Sequence, residues 1–168
     1  ERGAMSEIIG QIVDKPSKTR GKRGRKVTFE EAGSFPHLKS AVEVYLGSLR
    51  SGSIYVGQLY LFGTGGEKGP GIQGLEALFS SHYSWDMLEF NNIWEDGMAG
   101  TTCGYFVPCY RANEAFMDAD GNVDMEGALI ADERERDKKR ASGKPKDLDS
   151  RIAENPRTPS EALQRIGV

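Results

Sequence analysis

Residues 25–35 read RKVTFEEAGSF, and this stretch decides the fold. The β-prone run 27–29 ends in two adjacent carboxylates, Glu30 and Glu31, and a turn of small residues follows. In an open α/β sheet, ligands bind just outside the carboxyl ends of the strands. Successive strand residues point to opposite faces, so we expect the two acids to act differently. One would face a metal ion and phosphate, and the other would hold a water molecule.

The residues that follow predict a second strand beside the first. Residues 37–50 carry Leu38, Val42, Tyr45 and Leu49 at helical spacing, and a Ser-Gly pair ends the pattern. Residues 53–62 then alternate as a strand does, with a slip or bulge at Gly57, and lead into the turn 63–66, GTGG. This order implies a right-handed crossover that brings both strand ends to one edge of a parallel sheet.

Composition limits the class of protein. The 168 residues suit one domain with its own core, and the formal net charge of -3 does not by itself indicate a nucleic-acid binder. No run approaches the ~18 apolar residues of a membrane span, and the first residues lack a secretory pattern. We therefore expect a soluble intracellular protein without membrane contact. The cysteines and histidines are too few and too scattered for a zinc site.

A basic segment, residues 15–26, leads into the first strand. Its basic residues are Lys15, Lys18, Arg20, Lys22, Arg23, Arg25 and Lys26. Such a segment predicts contacts with the phosphates of a nucleotide or a nucleic-acid backbone, and a solvated loop explains it equally well. The candidate DNA- or phosphate-binding residues are Lys18, Arg20, Lys22, Arg23 and Arg25.

Several of these segments together resemble a known family. The pattern VTFEE at 27–31, followed by LYLFGTGG at 59–66, is similar to the Walker B and coupling motifs of viral DNA-packaging terminase large subunits. The approach RGKRG at 20–24 resembles the segment before the acidic strand in those proteins. The segments 91–97, NNIWEDG, and 104–108, GYFVP, resemble later strands of the same ATPase domain, and 155–162, NPRTPSEA, resembles the segment that leads to a nuclease domain.

The resemblance implies a motor that hydrolyses ATP to move double-stranded DNA into a capsid. It implies an α/β fold of P-loop NTPase type built on a mainly parallel sheet. By position, Glu30 would be the Mg²⁺-associated acid, Glu31 the catalytic base, and Gly63 with Thr64 the phosphate-sensing and coupling element. It also implies a portal, a small terminase subunit and further copies of the protein as partners. The place of action would be the procapsid portal in the host-cell cytoplasm.

The sequence departs from the family pattern in two places. The acid pair is Glu-Glu where Asp-Glu is commoner, so the division of roles between the two acids stays open. No Gly-x-x-x-x-Gly-Lys-[Ser/Thr] loop occurs, so the sequence has no cradle for the β- and γ-phosphates. We therefore expect residues 1–116 to be the second half of an ATPase domain and residues 117–168 a helical linker region. The chain alone should not turn over ATP.

Two other functions are compatible with the same residues. In a non-catalytic binding module, segment 15–26 would dock DNA or a partner protein, and the acids would be structural. In a metal-dependent nuclease, Glu30 and Glu31 would be ligands, but the spacing nominates no further acids for that role.

The later segments mainly predict structure. We expect strands over residues 83–90 and 102–110, and Leu75, Leu78 and Phe79 mark a short helix behind the glycine-rich loop 63–74. That loop would be a flexible connection or would approach phosphate with its backbone amides. Residues 118–124, DADGNVD, favour a turn that caps the next helix over a calcium loop. The charged run 132–140 predicts a solvated helix, residues 147–154 a second helix, and residues 158–161 a capping box.

Overall fold

The computed structural model describes residues 7–12, 18, 24–65 and 69–163. The strands are β1 Lys26–Phe29, β2 Arg50–Ser51, β3 Ile54–Tyr55, β4 Gln58–Leu61, β5 Phe90–Asn91 and β6 Thr102–Cys103. The helices are α1 Leu38–Ser48, α2 Pro70–Ser80, α3 Met125–Ala141, α4 Pro145–Glu154 and α5 Pro159–Ala162. The chain is therefore mixed α/β. Within the described ranges, no helix combines the length and the apolar character needed to cross a bilayer.

The predicted pairing of the first and second strand motifs is confirmed. Strands β1 and β4 are parallel, with Val27 opposite Leu59 and Phe29 opposite Leu61. These four side chains pack on the helix-covered side, while Tyr60 lies on the outer face and is 38% exposed. The predicted break at Gly57 is also present, since this residue separates β3 from β4.

The sheet is less extensive than the expected mainly parallel one. The described residues form three separate two-stranded pairs, of which β1–β4 is parallel, while β2–β3 and β5–β6 are antiparallel. The antiparallel pairing of β2 and β3 follows from the short turn at Gly52, whose φ of 63° suits a tight hairpin and leaves no room for a crossover.

The core lies between β1 and α1, and it confirms the helix predicted over residues 37–50. Leu38 and Val42 are almost fully buried, and the Phe29 ring meets the rings of Phe35 and Tyr45 edge-on, each at a centroid distance of 5.5 Å. Full burial of one such side chain stabilises the fold by about 1.5–3 kcal/mol. The core thus fixes the end of β1, from which the two carboxylates follow.

The strands predicted over residues 83–90 and 102–110 are mostly wrong. A 3₁₀ turn, His82–Trp85, occupies the first segment, and it ends at Asp86 with a φ of 52°. Arg50 and Tyr55 hold the Asp86 carboxylate at 2.6 and 2.7 Å, which stabilises a turn where alternation suggested a strand. In the second segment β6 stops at Cys103, and residues 109–111 form another 3₁₀ turn. Segment 104–108 therefore contains no strand.

The expectation that the charged run 132–140 is wholly solvated is wrong. Asp132 and Arg136 on α3 are 5% and 4% exposed. The Asp132 carboxylate accepts hydrogen bonds from Arg151 at 3.0 Å and Arg157 at 2.8 Å, and Arg136 donates to both carboxylate oxygens of Glu161 at 2.7 and 2.9 Å. We call these five residues the ion-pair cluster. It joins α3 to α4, α5 and the segment between them.

The predicted turn over residues 118–124 is confirmed. Asp118 Oδ1 accepts hydrogen bonds from the backbone N–H groups of Asp120 and Asn122, at 3.0 and 2.8 Å. Asp124 then caps α3, since its carboxylate accepts from the Gly127 N–H at 3.0 Å. The capping pattern at residues 158–161 is present as well, because the Thr158 hydroxyl oxygen accepts a hydrogen bond from the Glu161 N–H at 3.3 Å.

Candidate functional site

The candidate site lies where β1 and β4 end side by side. Backbone pairing continues past both strands, because Phe62 N–H donates to the Phe29 carbonyl at 2.9 Å and Ala32 N–H donates to the Phe62 carbonyl at 2.7 Å. Residues 30–34, which we call the acidic turn, are thereby held against the segment that follows β4. The two motifs of the sequence meet at one edge, as their order along the chain predicts.

A side-chain hydrogen bond joins the two motifs. The Thr64 hydroxyl donates to Glu31 Oε2 at 3.2 Å, across 33 positions of sequence. Both side chains are exposed. Glu31 and Thr64 are therefore the predicted site residues that the structure brings into direct contact, and an exposed carboxylate oriented by a hydroxyl can accept a proton from a bound water.

The backbone at Glu31 is unusual. Its φ of 48° and ψ of 46° lie in the left-handed region, which residues other than glycine rarely occupy. The Glu31 carbonyl accepts two hydrogen bonds from Ser34, at 2.8 Å from the N–H and at 2.7 Å from the hydroxyl. Sequence reasoning missed Ser34. The available signal was a serine three residues after the acid, which is the spacing of a local serine turn.

Glycines allow neighbouring backbone to approach the acidic turn closely. A Cβ on Gly63 would lie 3.2 Å from the Ala32 nitrogen, and a Cβ on Gly71 would overlap the Gly33 carbonyl oxygen. Gly71 belongs to the first turn of α2 and is buried. Residues 69–74 are thus the start of a helix packed on the acidic turn, and not the flexible connection or phosphate-approaching loop considered from the sequence.

Glu30 takes no part in the hydrogen bond between Glu31 and Thr64. Its side chain is exposed, and no described residue is hydrogen-bonded to its carboxylate. Mg²⁺ is commonly bound by one or two carboxylates together with waters and substrate phosphates. Within the described ranges there is no group of three or more His, Cys, Asp or Glu side chains able to hold a metal. The side-chain oxygens of Glu30, Glu31 and Thr64 are of the hard type that Mg²⁺ prefers.

A cleft of about 920 Å³ opens beside Thr64. One wall is the segment after β4, including Gly63 and Gly65, and the other is formed by the 3₁₀ turns near residue 110 and by α3 to α5. Gly65 closes the inner end, because a Cβ there would overlap the carbonyl oxygens of Ala153 and Ala162. Burial raises the pKa of the Cys109 thiol in this cleft, so the thiol stays protonated and is a poor nucleophile.

The predicted basic segment is described only in part. Lys18 and Arg25 are exposed, and the Arg25 carbonyl accepts a hydrogen bond from the Gln58 N–H at 2.8 Å, which sets the start of the parallel pair. Arg20, Lys22 and Arg23 lie outside the described residues. The assignment of these side chains to phosphate or DNA contacts stays a prediction, as does the domain boundary after residue 116.

The ion-pair cluster reaches the same cleft, where Asp132 and Arg151 form part of its wall. Although burial alone would lower the pKa of the Arg136 guanidinium, its hydrogen bonds to Glu161 raise the pKa above the ordinary value. Arg136 therefore stays positively charged, and the hydrogen bonds of the cluster hold the helical wall in place. No single stretch of sequence shows it, because its partners lie 19 and 25 positions apart.

The chain matches no protein-family model, no curated protein and no solved structure. The resemblance to terminases therefore stays a prediction from the sequence motifs.

Proposed function

We propose that this chain supplies the acid-bearing half of the ATP-hydrolysing site in a DNA-packaging motor of the terminase type. The observation that carries the proposal is the hydrogen bond between Thr64 and Glu31 at the joined ends of two parallel strands. In such a site the carboxylate polarises the attacking water, and the hydroxyl reports the state of the γ-phosphate. Glu31 belongs to the first motif and Thr64 to the second, and these two residues are in contact.

The roles of the two acids follow from their positions. Glu31 is oriented by Thr64 and fixed by the backbone of the acidic turn, so it is the better candidate for the catalytic base. Glu30 is exposed and not hydrogen-bonded to a described residue, which leaves its carboxylate available for Mg²⁺. When bound, that ion would neutralise charge on the phosphates.

The exposed side of the parallel pair supports a role within a larger sheet. Parallel sheets are normally covered on both faces, yet Tyr60 and Phe62 are 38% and 57% exposed and stack on each other at 6.3 Å. In the proposed motor a further element would cover this face, and a phosphate-binding loop would complete the nucleotide site. Double-stranded DNA, a portal, a small terminase subunit and other copies of the motor are the partners that the proposal includes.

The test is ATP turnover by the full-length protein that contains this sequence, measured with and without duplex DNA. Glu31→Gln keeps the size of the side chain and removes the base, so turnover should fall by about 100-fold or more, which is the scale of a general base, while ATP binding is retained. Glu43→Gln, a change of an exposed carboxylate on α1, is the matched control and should leave turnover unchanged.

Two results would count against the proposal. Unchanged turnover in Glu31→Gln would remove the catalytic base and return the acids to an ordinary strand end. Loss of ATP binding together with turnover would place Glu31 in nucleotide binding and not at the chemical step.

DNA-stimulated turnover that disappears in Glu31→Gln and persists in Glu43→Gln would support both the role of Glu31 as the base and the coupling of hydrolysis to DNA.

A further inference from the structure

The conformation of Glu31 needs a physical cause. Left-handed backbone is sterically disfavoured for a side chain with a Cβ, and such residues persist only where the surrounding structure enforces them. Besides Glu31, the described residues other than glycine include one with positive φ, Asp86. Asp86 is held by its own carboxylate, which pairs with Arg50 at 2.6 Å. Glu31 is held differently, through its backbone.

Hydrogen bonds fix the peptide that follows Glu31 from both sides. Its carbonyl oxygen accepts from the Ser34 N–H and from the Ser34 hydroxyl, at 2.8 and 2.7 Å. Its N–H, which belongs to Ala32, donates to the Phe62 carbonyl at 2.7 Å. Rotation about ψ of Glu31 would break these bonds. The Cα–Cβ bond of Glu31 therefore keeps one direction, from which the carboxylate reaches the Thr64 hydroxyl.

Packing closes the alternative positions of this turn. Gly33 lies against the Ile72 side chain and Gly71 against the Gly33 carbonyl, so the turn cannot move towards α2. Ala32 is fully buried in the core. Among the side chains that the structure describes, the Ser34 hydroxyl is the one that bonds to the Glu31 backbone. Ser34 itself is exposed.

We propose that Ser34 is a positioning residue for the Glu31 carboxylate. It does not touch substrate; it stabilises the left-handed backbone that directs the carboxylate at Thr64 and at the water to be polarised. This inference rests on the proposed function, since it assigns a cause to the geometry of the same site. A purely structural serine turn would instead affect stability alone.

The first readout is steady-state kinetics of the full-length protein. Ser34→Ala should lower kcat by about five- to tenfold, the effect of one net hydrogen bond, with KM for ATP within about twofold. Ser34→Thr keeps the hydroxyl and should recover most of kcat. Ser40→Ala, at an exposed serine on α1, is the control and should change neither constant.

The second readout is thermal unfolding of the same variants, which needs no activity. Ser34→Ala should lower Tm when residue 31 is Glu. The loss should be similar in the Glu31→Gly background, because the hydroxyl bonds to the carbonyl of residue 31 and not to its side chain. Ser34→Thr, which keeps the hydroxyl, should retain most of the Tm.

Failures of the two proposals are distinguishable. If Glu31→Gln abolishes turnover while Ser34→Ala retains full kcat, the positioning role is wrong and the proposed function stands. An unchanged Tm in Ser34→Ala would likewise overturn it, because it would show that the hydroxyl does not stabilise the acidic turn. If Glu31→Gln retains full turnover, the proposed function fails and the positioning role fails with it.

Discussion

Replacing Glu31 with glycine should cost about 1 kcal/mol less stability than the same change at Glu30. For a residue with a Cβ, the left-handed region costs about 1–2 kcal/mol, and glycine escapes that cost. Against this, glycine loses about 0.5–1 kcal/mol through its greater freedom in the unfolded chain. At Glu31, whose φ is 48°, the two effects oppose each other. At Glu30, which is not among the residues with positive φ, the second effect acts alone.

Glu31→Gly also removes the exposed hydrogen bond with Thr64, which offsets about 0.5 kcal/mol of the free energy gained by relief of the left-handed strain. We therefore expect Glu31→Gly to be more stable than Glu30→Gly by about 1 kcal/mol, with Glu31→Gly close to wild type. Urea unfolding followed by tryptophan fluorescence measures the difference, since Trp85 packs against the core. The result would bear on the proposed function as well, because strained backbone tends to be found at functional sites, where replacing the strained residue costs the protein little stability.

Asp86 supplies an internal comparison. Its φ of 52° is also left-handed, but its carboxylate accepts from Arg50 at 2.6 Å and from Tyr55 at 2.7 Å. Asp86→Gly relieves strain and also removes those bonds, so its net cost should exceed that of Glu31→Gly. Equal losses of stability in Glu30→Gly and Glu31→Gly would refute the reasoning, because they would show that the backbone of Glu31 carries no strain.

Three further predictions concern packing and charge. Arg136→Met removes one of three arginines that pair with Asp132 and also the arginine that pairs with Glu161, so it should lower the free energy of unfolding by about 3 kcal/mol in urea titrations. Gly71→Ala should lower Tm through overlap with the acidic turn, whereas Gly47→Ala, with open space around it on α1, should gain about 1 kcal/mol. Hydrogen bonds from Arg140 and then from Arg157 lower the pKa of the Glu133 carboxyl from its ordinary value of 4.5. The stabilisation that the ionised carboxylate gives to the fold is therefore present above pH 4.5 and lost on acidification, and Glu133→Gln should flatten that part of the stability–pH curve.

Local sequence was a good guide to the part of the fold that forms the site. The apolar spacing of Leu38, Val42 and Tyr45 predicted α1, and the alternation before Gly63 predicted β4. The parallel pairing followed because a helix between two strands leaves few other connections. The contact between Glu31 and Thr64 was therefore foreseeable as a shared edge, but its hydrogen bond and the left-handed backbone were not.

Prediction failed where partners distant in sequence decided the structure. The run 132–140 has the composition of a solvated helix, yet Asp132 and Arg136 are buried because arginines and a glutamate from beyond α3 complete their bonds. The weak signal was Ala128, four positions before Asp132 on the same face of α3 and fully buried. Likewise, residue 86 ends a turn because Arg50 reaches it, which alternation over 83–90 cannot show.

The close approach at Gly65 has a mechanical consequence. Main chain there lies against main chain of both α4 and α5, at Ala153 and Ala162, without a side chain between them. A flexible side chain can absorb a small movement by changing rotamer, but two touching backbones are nearly incompressible. The ion-pair cluster in turn ties those helices to α3. If the segment after β4 moves towards α4 and α5, those helices must therefore move with it, because the packed backbones leave almost no room between them.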